Sequence, residues 1–235
     1  MNGARCRRFL HRVNRMNSQS SPLLATGTCI GFKYRTATAS HTHRYLMPAV
    51  LSLGGDRLGP GARVLDAGCG NGFKAGELLA RGCEVVGVDP SESGIAIARE
   101  KYPAGRFEQL TVDHQMLEKL RCAPFDVVIS TEVIEHVYVP RSFVAACFDA
   151  LKPGGRYILS TPYHGYLKNL SIALFGAFDA HVSPLSDGGH IKFWSRHTLS
   201  TLLHEFGFCN LQFRGAGRLP LLWKSMIMAG DRPSG

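Results

Sequence analysis

The segment that most limits what this chain can fold into is Ala62-Arg63-Val64-Leu65-Asp66, followed directly by Ala67-Gly68-Cys69-Gly70-Asn71-Gly72. A short apolar run ending in glycines reads as a buried strand, and Lys74 to Arg81 behind it has helical spacing, so the glycines make the turn between them. In such a turn glycines let a ligand approach the backbone, and the start of the helix aims its amides outward. The pattern recurs downstream. Glu84 to Val88 reads as a strand, Ser91 to Lys101 as a helix capped by Ser91, and Arg106 to Leu110 as a weaker strand. Asp126 to Ser130 and Arg156 to Ser160 read as strands flanking a helix over Ser142 to Leu151, with Lys152-Pro153-Gly154-Gly155 as a turn. A short helix is expected over His43 to Leu53. Strands alternating with helices require right-handed crossovers and a mostly parallel sheet covered on both faces, so a doubly wound α/β domain is expected. The last third differs, with a long segment from Thr161 to Lys192, a helix over Arg196 to Phe206 capped by Ser195, and strands over Asn210 to Arg214 and Leu221 to Met228. The last two lie close enough to form an antiparallel edge hairpin.

At 235 residues and 45% hydrophobic content, one domain is expected on a scale of about 150 residues per domain. Apolar stretches fall short of the roughly 20 residues that cross a bilayer. The net charge of +9 is unevenly placed. Eight basic residues (Arg5, Arg7, Arg8, Arg12, Arg15, Lys33, Arg35, Arg44) precede the first acid, Asp56, leaving 19 Lys and Arg against 18 Asp and Glu beyond it. The basicity therefore belongs to a leader over residues 1–40, the domain to residues 41–235, and nucleic acid is not an expected partner. The Arg- and Ser-rich, acid-free first thirty residues have the composition of a mitochondrial transit peptide. A plain basic tail, with Met16 as the true start, is the competing expectation. Arg7-Arg8 is not a twin-arginine export signal, because His11 and Arg12 interrupt any apolar region behind it. Seven scattered cysteines without a Cys-x-x-Cys pair indicate reduced thiols. The cytoplasm is the expected location, with the mitochondrial matrix as the alternative.

Asp89 ends the second strand at the spacing of about 20 residues where an acid grips a ribose diol. Two cofactor classes compete for such a turn. A dinucleotide fingerprint wants a third glycine where Phe73 stands, and its pyrophosphate would meet the like charge of Asp66. The ammonium and sulfonium of S-adenosylmethionine are instead favoured by a carboxylate, so Asp66 counts for that cofactor. These residues resemble the class I S-adenosylmethionine-dependent methyltransferases, through Val64 to Gly72, Gly87-Val88-Asp89-Pro90, Phe125-Asp126-Val127-Val128 and Leu151-Lys152-Pro153-Gly154-Gly155. The resemblance spans about residues 40 to 230 and implies a seven-stranded Rossmann-like sheet with S-adenosylmethionine as cofactor. It also implies that Gly68 and its neighbours, Gly70 among them, hug the methionine portion and that Asp89 binds the ribose hydroxyls. Asp113 would face the adenine amine, and Thr131 would line the pocket.

Ser130-Thr131-Glu132-Val133-Ile134-Glu135-His136 follows the fourth strand at the ligand-binding edge. If this stretch turns helically, Glu132 and His136 share a face with Glu135 adjacent, a set able to hold a divalent cation that lowers the pKa of a catechol hydroxyl. The plainer alternatives are that the two glutamates orient a helix start, or that His136 acts as general base toward a phenol. Within the methyltransferases, Glu-x-x-Glu-His and the Lys-Pro-Gly-Gly turn resemble the ubiquinone-biosynthesis O-methyltransferases, and Arg44 matches an arginine that approaches the cofactor carboxylate there. The chain departs from them at Ser160-Thr161-Pro162-Tyr163-His164, where an Asn-Arg pair is usual. Residues 162–193 are too long for a bare connection and are expected to form a lid bearing the candidate bases His164 and His190. Its apolar middle would cover the core, accept a lipid tail or touch a membrane. The expected activity is methyl transfer to a small-molecule acceptor, probed first as a phenolic or quinone-precursor hydroxyl. The alternatives are nitrogen or carbon of another metabolite, or a cofactor-binding module without turnover.

Overall fold

The computed structural model describes residues 32–36, 38, 41–182, 185 and 188–235. The transit-peptide, export and start-site expectations fall on residues outside these. Seven strands, β1 (Arg63–Ala67), β2 (Glu84–Asp89), β3 (Arg106–Gln109), β4 (Phe125–Thr131), β5 (Leu151–Pro162), β6 (Cys209–Ala216) and β7 (Ser225–Asp231), form one sheet in the order β3-β2-β1-β4-β5-β7-β6. Strand β7 pairs antiparallel with both its neighbours, and the other pairings are parallel. The helices are α1 (His43–Gly54), α2 (Phe73–Ala80), α3 (Glu92–Lys101), α4 (Met116–Leu120), α5 (Pro140–Ala150), α6 (Tyr166–Leu174), α7 (Phe178–Val182) and α8 (Arg196–Glu205).

Alternation along the central strands splits the core in two. Val64, Val127, Ile129, Ile158 and Ile227 share one buried cluster with Leu46 and Val50 of α1, Leu78 of α2 and Ile95 of α3. Leu65, Val128, Tyr157, Leu159, Met226 and Met228 share the other with Phe143 and Cys147 of α5 and Leu199 and Leu203 of α8. Both faces are thus covered, as a parallel sheet requires. From β1 the chain builds outward to β2 and β3 and then returns to place β4 on the other side, so a crevice opens at the carboxyl ends of β1 and β4. Helix starts follow the expected chemistry: the Ser91 hydroxyl accepts from Gly94 N at 3.1 Å, and Ser195 and Thr198 form a reciprocal capping box on α8.

Three local expectations change. Lys152-Pro153-Gly154-Gly155 is no free turn. It lies within β5 as an irregularity where the register jumps from Phe125↔Leu151 to Val127↔Arg156, and Gly154 N donates to Arg232 O while Arg232 N donates to Gly155 O. The last strand begins at Ser225 rather than Leu221, because Leu221 has φ +68° and Leu222 N closes a turn onto Leu219 O. The stretch after β4 is not a helix running from Glu132 to His136. Glu132 takes φ +57°, a single 3-10 turn covers Ile134–His136, and Glu132 and His136 do not share a helical face.

The C-terminal strands are locked by one ion pair. Arg156 donates Nε to Asp231 Oδ1 at 2.7 Å and Nη2 to Oδ2 at 3.0 Å, Asn210 Nδ2 reaches Oδ2 at 3.2 Å, and Arg156 Nη1 reaches Leu53 O at 2.7 Å. The group ties β5, β6, β7 and α1 together. Burial works against the Asp231 charge, but Arg156 and Asn210 outweigh it and hold the carboxyl below its usual range. A depressed carboxylate stabilises the fold above its unfolded pKa of about 4 and loses that contribution as pH falls through the folded value. Asp231→Ala should therefore lower unfolding stability by about 2–4 kcal/mol at pH 7 in urea titrations, with the gap to wild type closing in acid below about pH 4.

Candidate functional site

The crevice widens into a cavity of about 1740 Å³ between the sheet edge and the lid. Small-molecule sites usually occupy roughly 300–1,000 Å³, so this one has room for two ligands side by side. Its sheet-side wall includes Gly68, Gly70, Asp89, Asp113 and Thr131, and its lid-side wall includes Glu132, His136, Lys168, His190 and Arg218.

The glycine turn is held from below. Gly68 N and Cys69 N donate to Val88 O at 2.8 and 3.0 Å. Asp89 receives Gly70 N on Oδ2 at 2.9 Å and Ser91 N on Oδ1 at 2.8 Å, which binds the first turn to the second. Gly68 has φ +86°, and a Cβ there would lie 2.5 Å from Val133 Cγ2; at Gly70 a Cβ would collide with the Tyr34 hydroxyl. Both positions thus need glycine for shape and conformation alike. Burial raises the Asp89 pKa, opposed by the Ser91 and Gly70 amides.

Asp66 lies behind this wall rather than in it. The residue is 1% exposed, and neither carboxylate oxygen has a hydrogen-bond partner among the described residues. Burial pushes its pKa up to about 6, with Lys74 opposing and Asp89 adding to the shift. Lys74, which sequence reasoning passed over, lines the cavity and donates Nζ to the Thr131 hydroxyl and to Thr131 O at 3.3 Å. A lysine in the first turn of a helix opposes the helix dipole, and that was the signal available for it. Asp113 lines the cavity with Oδ1 accepting Gln115 N at 2.8 Å. Arg44, by contrast, is exposed and absent from the lining.

Part of the expected leader also belongs to the site. Tyr34 N donates to Ser93 Oγ at 3.0 Å, the Ser91 hydroxyl donates to Phe32 O, and Asn71 Nδ2 reaches Thr36 O at 2.8 Å and Thr38 O at 3.1 Å. Phe32 to Thr38 thus straps the glycine turn, with the Tyr34 phenol over Gly70. Burial first and Asp89 second push the Tyr34 pKa up, which keeps the phenol neutral. Composition hid this strap because the hydrogen bonds that hold it to the body span 33 residues or more.

On the lid side, Glu135, His136 and His190 each bring one ligand atom within 4.8 Å of the others, and Glu132 stands outside that group. Glu132 is held elsewhere, accepting the Ser160 hydroxyl at 2.8 Å and the Ser225 hydroxyl at 3.3 Å. His136 Nδ1 lies 2.9 Å from Gly188 O and 3.1 Å from Gly189 O. Carbonyls only accept, so Nδ1 carries a proton, while Nε2 lies 4.0 Å from Glu135 Oε1. The His190 ring packs edge-on against His136 at 4.9 Å, and burial together with His136 pushes its pKa down to about 4. Glu135 is fully buried, and burial and Glu132 drive its pKa far up while Thr161 and Lys74 ease it only in part. Its backbone oxygen receives Ile191 N and Lys192 N at 2.9 and 3.0 Å, pinning the lid's return. The lid's two ends meet in a bridge between Tyr163 and Trp194, and His164 bonds Asn169 at 3.3 Å away from the cavity wall.

A seven-stranded sheet with a reversed β7, and a glycine turn facing an acidic strand end, define the class I methyltransferase architecture. A family model described as a methyltransferase domain matches residues 38–212. The ubiquinone biosynthesis O-methyltransferase of Ruegeria pomeroyi is 35% identical over 183 residues, covering 76% of this chain and 73% of that protein. The protein of the same name from Roseobacter denitrificans is 35% identical over 178 residues, covering 73% and 69%. Among solved structures, magnesium protoporphyrin IX methyltransferase from Synechocystis PCC 6803 with bound SAH has a TM-score of 0.57 at 21% identity over 78% of this chain and 79% of that one. A [4+2]-cyclase has a TM-score of 0.61 at 16% identity over 87% of each, so the fold alone does not fix a reaction. The chain belongs to the methyltransferase-domain family and is an S-adenosylmethionine-dependent methyltransferase.

Ionised Asp66 costs folding energy, since a carboxyl whose folded pKa exceeds its unfolded value loses stability as pH rises between the two. Asp66→Asn should therefore stabilise the cofactor-free protein by about 1–3 kcal/mol at pH 7.5 in urea melts, and the gain should vanish below about pH 4.

Proposed function

We propose that this enzyme methylates a hydroxyl of a small catechol-like acceptor of the quinone-precursor type. The observation that carries the proposal is Asp66, a buried carboxylate without a hydrogen bond among the described residues, directly behind the glycine turn that walls the cavity, together with His136 on the cavity's lid side, its Nδ1 against the Gly188 carbonyl. The names of the relatives from Ruegeria pomeroyi and Roseobacter denitrificans support the acceptor class.

The residues fit the cofactor. Asp66 offers an unsatisfied negative charge to an ammonium, Gly68 and Gly70 leave room for close approach, and Asp89 and Asp113 would take the ribose diol and the adenine amine. Thr131 would complete the wall, whereas Arg44, exposed and outside the cavity lining, is not part of it. When bound, S-adenosylmethionine supplies a methyl group already primed to leave, which places the burden on alignment, dryness and proton removal. The lid excludes water. His136 accepts the acceptor's proton at Nε2, its Nδ1 proton held by the Gly188 and Gly189 carbonyls. His190 braces the ring.

A second reading is favoured by the buried Glu135 carboxylate, whose oxygens meet no hydrogen-bond donor at bonding geometry among the described residues and which with His136 and His190 makes a donor set suited to a divalent cation. A cation there would lower the pKa of the acceptor hydroxyl. Glu132, occupied by Ser160 and Ser225, drops out of that set. Free thiols at all five described cysteines fit a reducing compartment such as the cytoplasm, and no described helix is long and apolar enough to cross a membrane. The outward face of the lid, with Leu174 at 74% and Phe175 at 83% exposure, suits peripheral contact with lipid, where a polyprenylated acceptor would reside.

A labelled-methyl screen over polyprenyl catechols, simple phenols and amine acceptors should give transfer to a catechol. In that assay Asp89→Ala should weaken S-adenosylhomocysteine binding by about 100-fold and His136→Ala should cut kcat by roughly 10²–10⁴. Transfer only to nitrogen or carbon would replace the acceptor assignment, and binding without any turnover would favour a non-catalytic module. Chelator should leave the rate unchanged if histidine alone takes the proton; loss restored by Mn²⁺ or Zn²⁺ establishes the cation. In vesicle co-sedimentation, Leu174→Ser with Phe175→Ser should release the protein from lipid, and equal sedimentation of both forms would end the membrane assignment.

A further inference from the structure

Helix α6 is built inside out. Lys168 is only 8% exposed, while Tyr166, Leu167, Leu170 and Leu174 of the same helix face solvent. Surface helices ordinarily do the reverse, burying their apolar stripe and leaving lysine in water. Among the described residues the buried ammonium is poorly satisfied, since its one hydrogen bond there, to Lys224 O, is long at 3.4 Å.

No described carboxylate pairs with it. Lys168, Arg218 and Lys224 all line the lid side of the cavity, and none of the three forms an ion pair with a described carboxylate. Lys224 Nζ lies over the Tyr45 ring at 5.7 Å. Glu132, a described acid whose charge acts on Lys168, already accepts two serine hydroxyls. Burial first, and Arg218 second, bring the Lys168 pKa down to about 8, with Glu132 opposing. A buried cation beside other cations is costly unless an anion joins it. A lysine with no ligand to bind would lie more favourably on the solvent face of α6.

We propose that Lys168, Arg218 and Lys224 form an oxyanion subsite that grips a carboxylate or phosphate-type group on the methyl acceptor, so that the enzyme selects an anionic acceptor over its neutral analogue. This rests on the cavity being the site of methyl transfer to a catechol. The anion would enter between the lid and the β6–β7 connection, leaving the hydroxyl to be methylated near His136 and the glycine turn.

The test compares three acceptors at low salt with the full-length protein: 4-methylcatechol, 3,4-dihydroxybenzoate and 3,4-dihydroxybenzylphosphonate. At least one anion should exceed the neutral catechol in kcat/KM by about tenfold or more, and which one does so identifies the oxyanion. Lys168→Met should abolish that ratio, whereas Lys168→Arg should keep most of it. A wild type that prefers 4-methylcatechol, or a Met variant that lowers all three acceptors equally, overturns the subsite. Should no catechol be methylated by protein that binds S-adenosylhomocysteine, the acceptor assignment fails separately, and binding alone decides the subsite. Calorimetry on the S-adenosylhomocysteine complex should then give a Kd for 3,4-dihydroxybenzoate about tenfold below that for 4-methylcatechol, a gap lost in Lys168→Met. Equal Kd values would overturn it.

Discussion

Two backbone amides, Gly70 N and Ser91 N, converge on the single carboxylate of Asp89, and through it the first and second strand-turn-helix units become one body. The same Ser91 caps α3 and holds Phe32 O, and Gly94, the residue it caps with, packs against Tyr34 and the Gly70 carbonyl. The strap, the glycine turn and the second turn therefore share one network. Because the Asp89 charge is met by amides instead of a cation, its acidity remains available to hydroxyl donors arriving from the cavity. Asp66 is the complement of this arrangement. It has no such amides, and its burial leaves a negative charge whose natural partner is a ligand cation.

What was legible in the sequence is what depends on near neighbours. Val64 to Gly72 encodes strand, turn and helix within one stretch, and Ser91 and Ser195 announce the helices they cap. What was not legible depends on partners far along the chain. Lys152 to Gly155 has turn composition, yet Arg232 pairs with Gly154 and Gly155 and draws the segment into β5. Glu132 sits at helical spacing from His136, but Ser160, across the sheet, accepts Glu132 N on its hydroxyl and donates the hydroxyl back, which stabilises a left-handed backbone there. The candidate acids were thereby divided: Glu135 joined the histidines, and Glu132 joined the serines. Tyr34 carries no local motif at all, and its place over Gly70 follows from hydrogen bonds that span more than thirty residues.

The cavity's sheet side gathers Asp66 and Asp89 behind and beside the glycine turn, offset in part by Lys74, and its lid side gathers Lys168, Arg218 and Lys224 around the hydrogen-bonded Glu132. A reaction that joins a cationic methyl donor to a deprotonated hydroxyl extinguishes charge as it proceeds, and a site that removes water favours that loss. Such a field also orients a ligand pair, since the cationic end of one belongs at the acidic wall and the anionic end of the other at the basic wall.

The inverted polarity of α6 links the two uses of the lid. Turning Lys168 inward forces the helix's apolar residues outward, because side chains about 100° apart cannot all face the same way. A helix that serves the cavity with its charge must then expose Leu170 and Leu174 to whatever lies outside. Selecting an anionic head within the cavity and offering an apolar surface outside it are consequently two sides of a single rotation of one helix. An amphiphilic acceptor, with a charged ring and an apolar tail, is the ligand that both faces would recognise together.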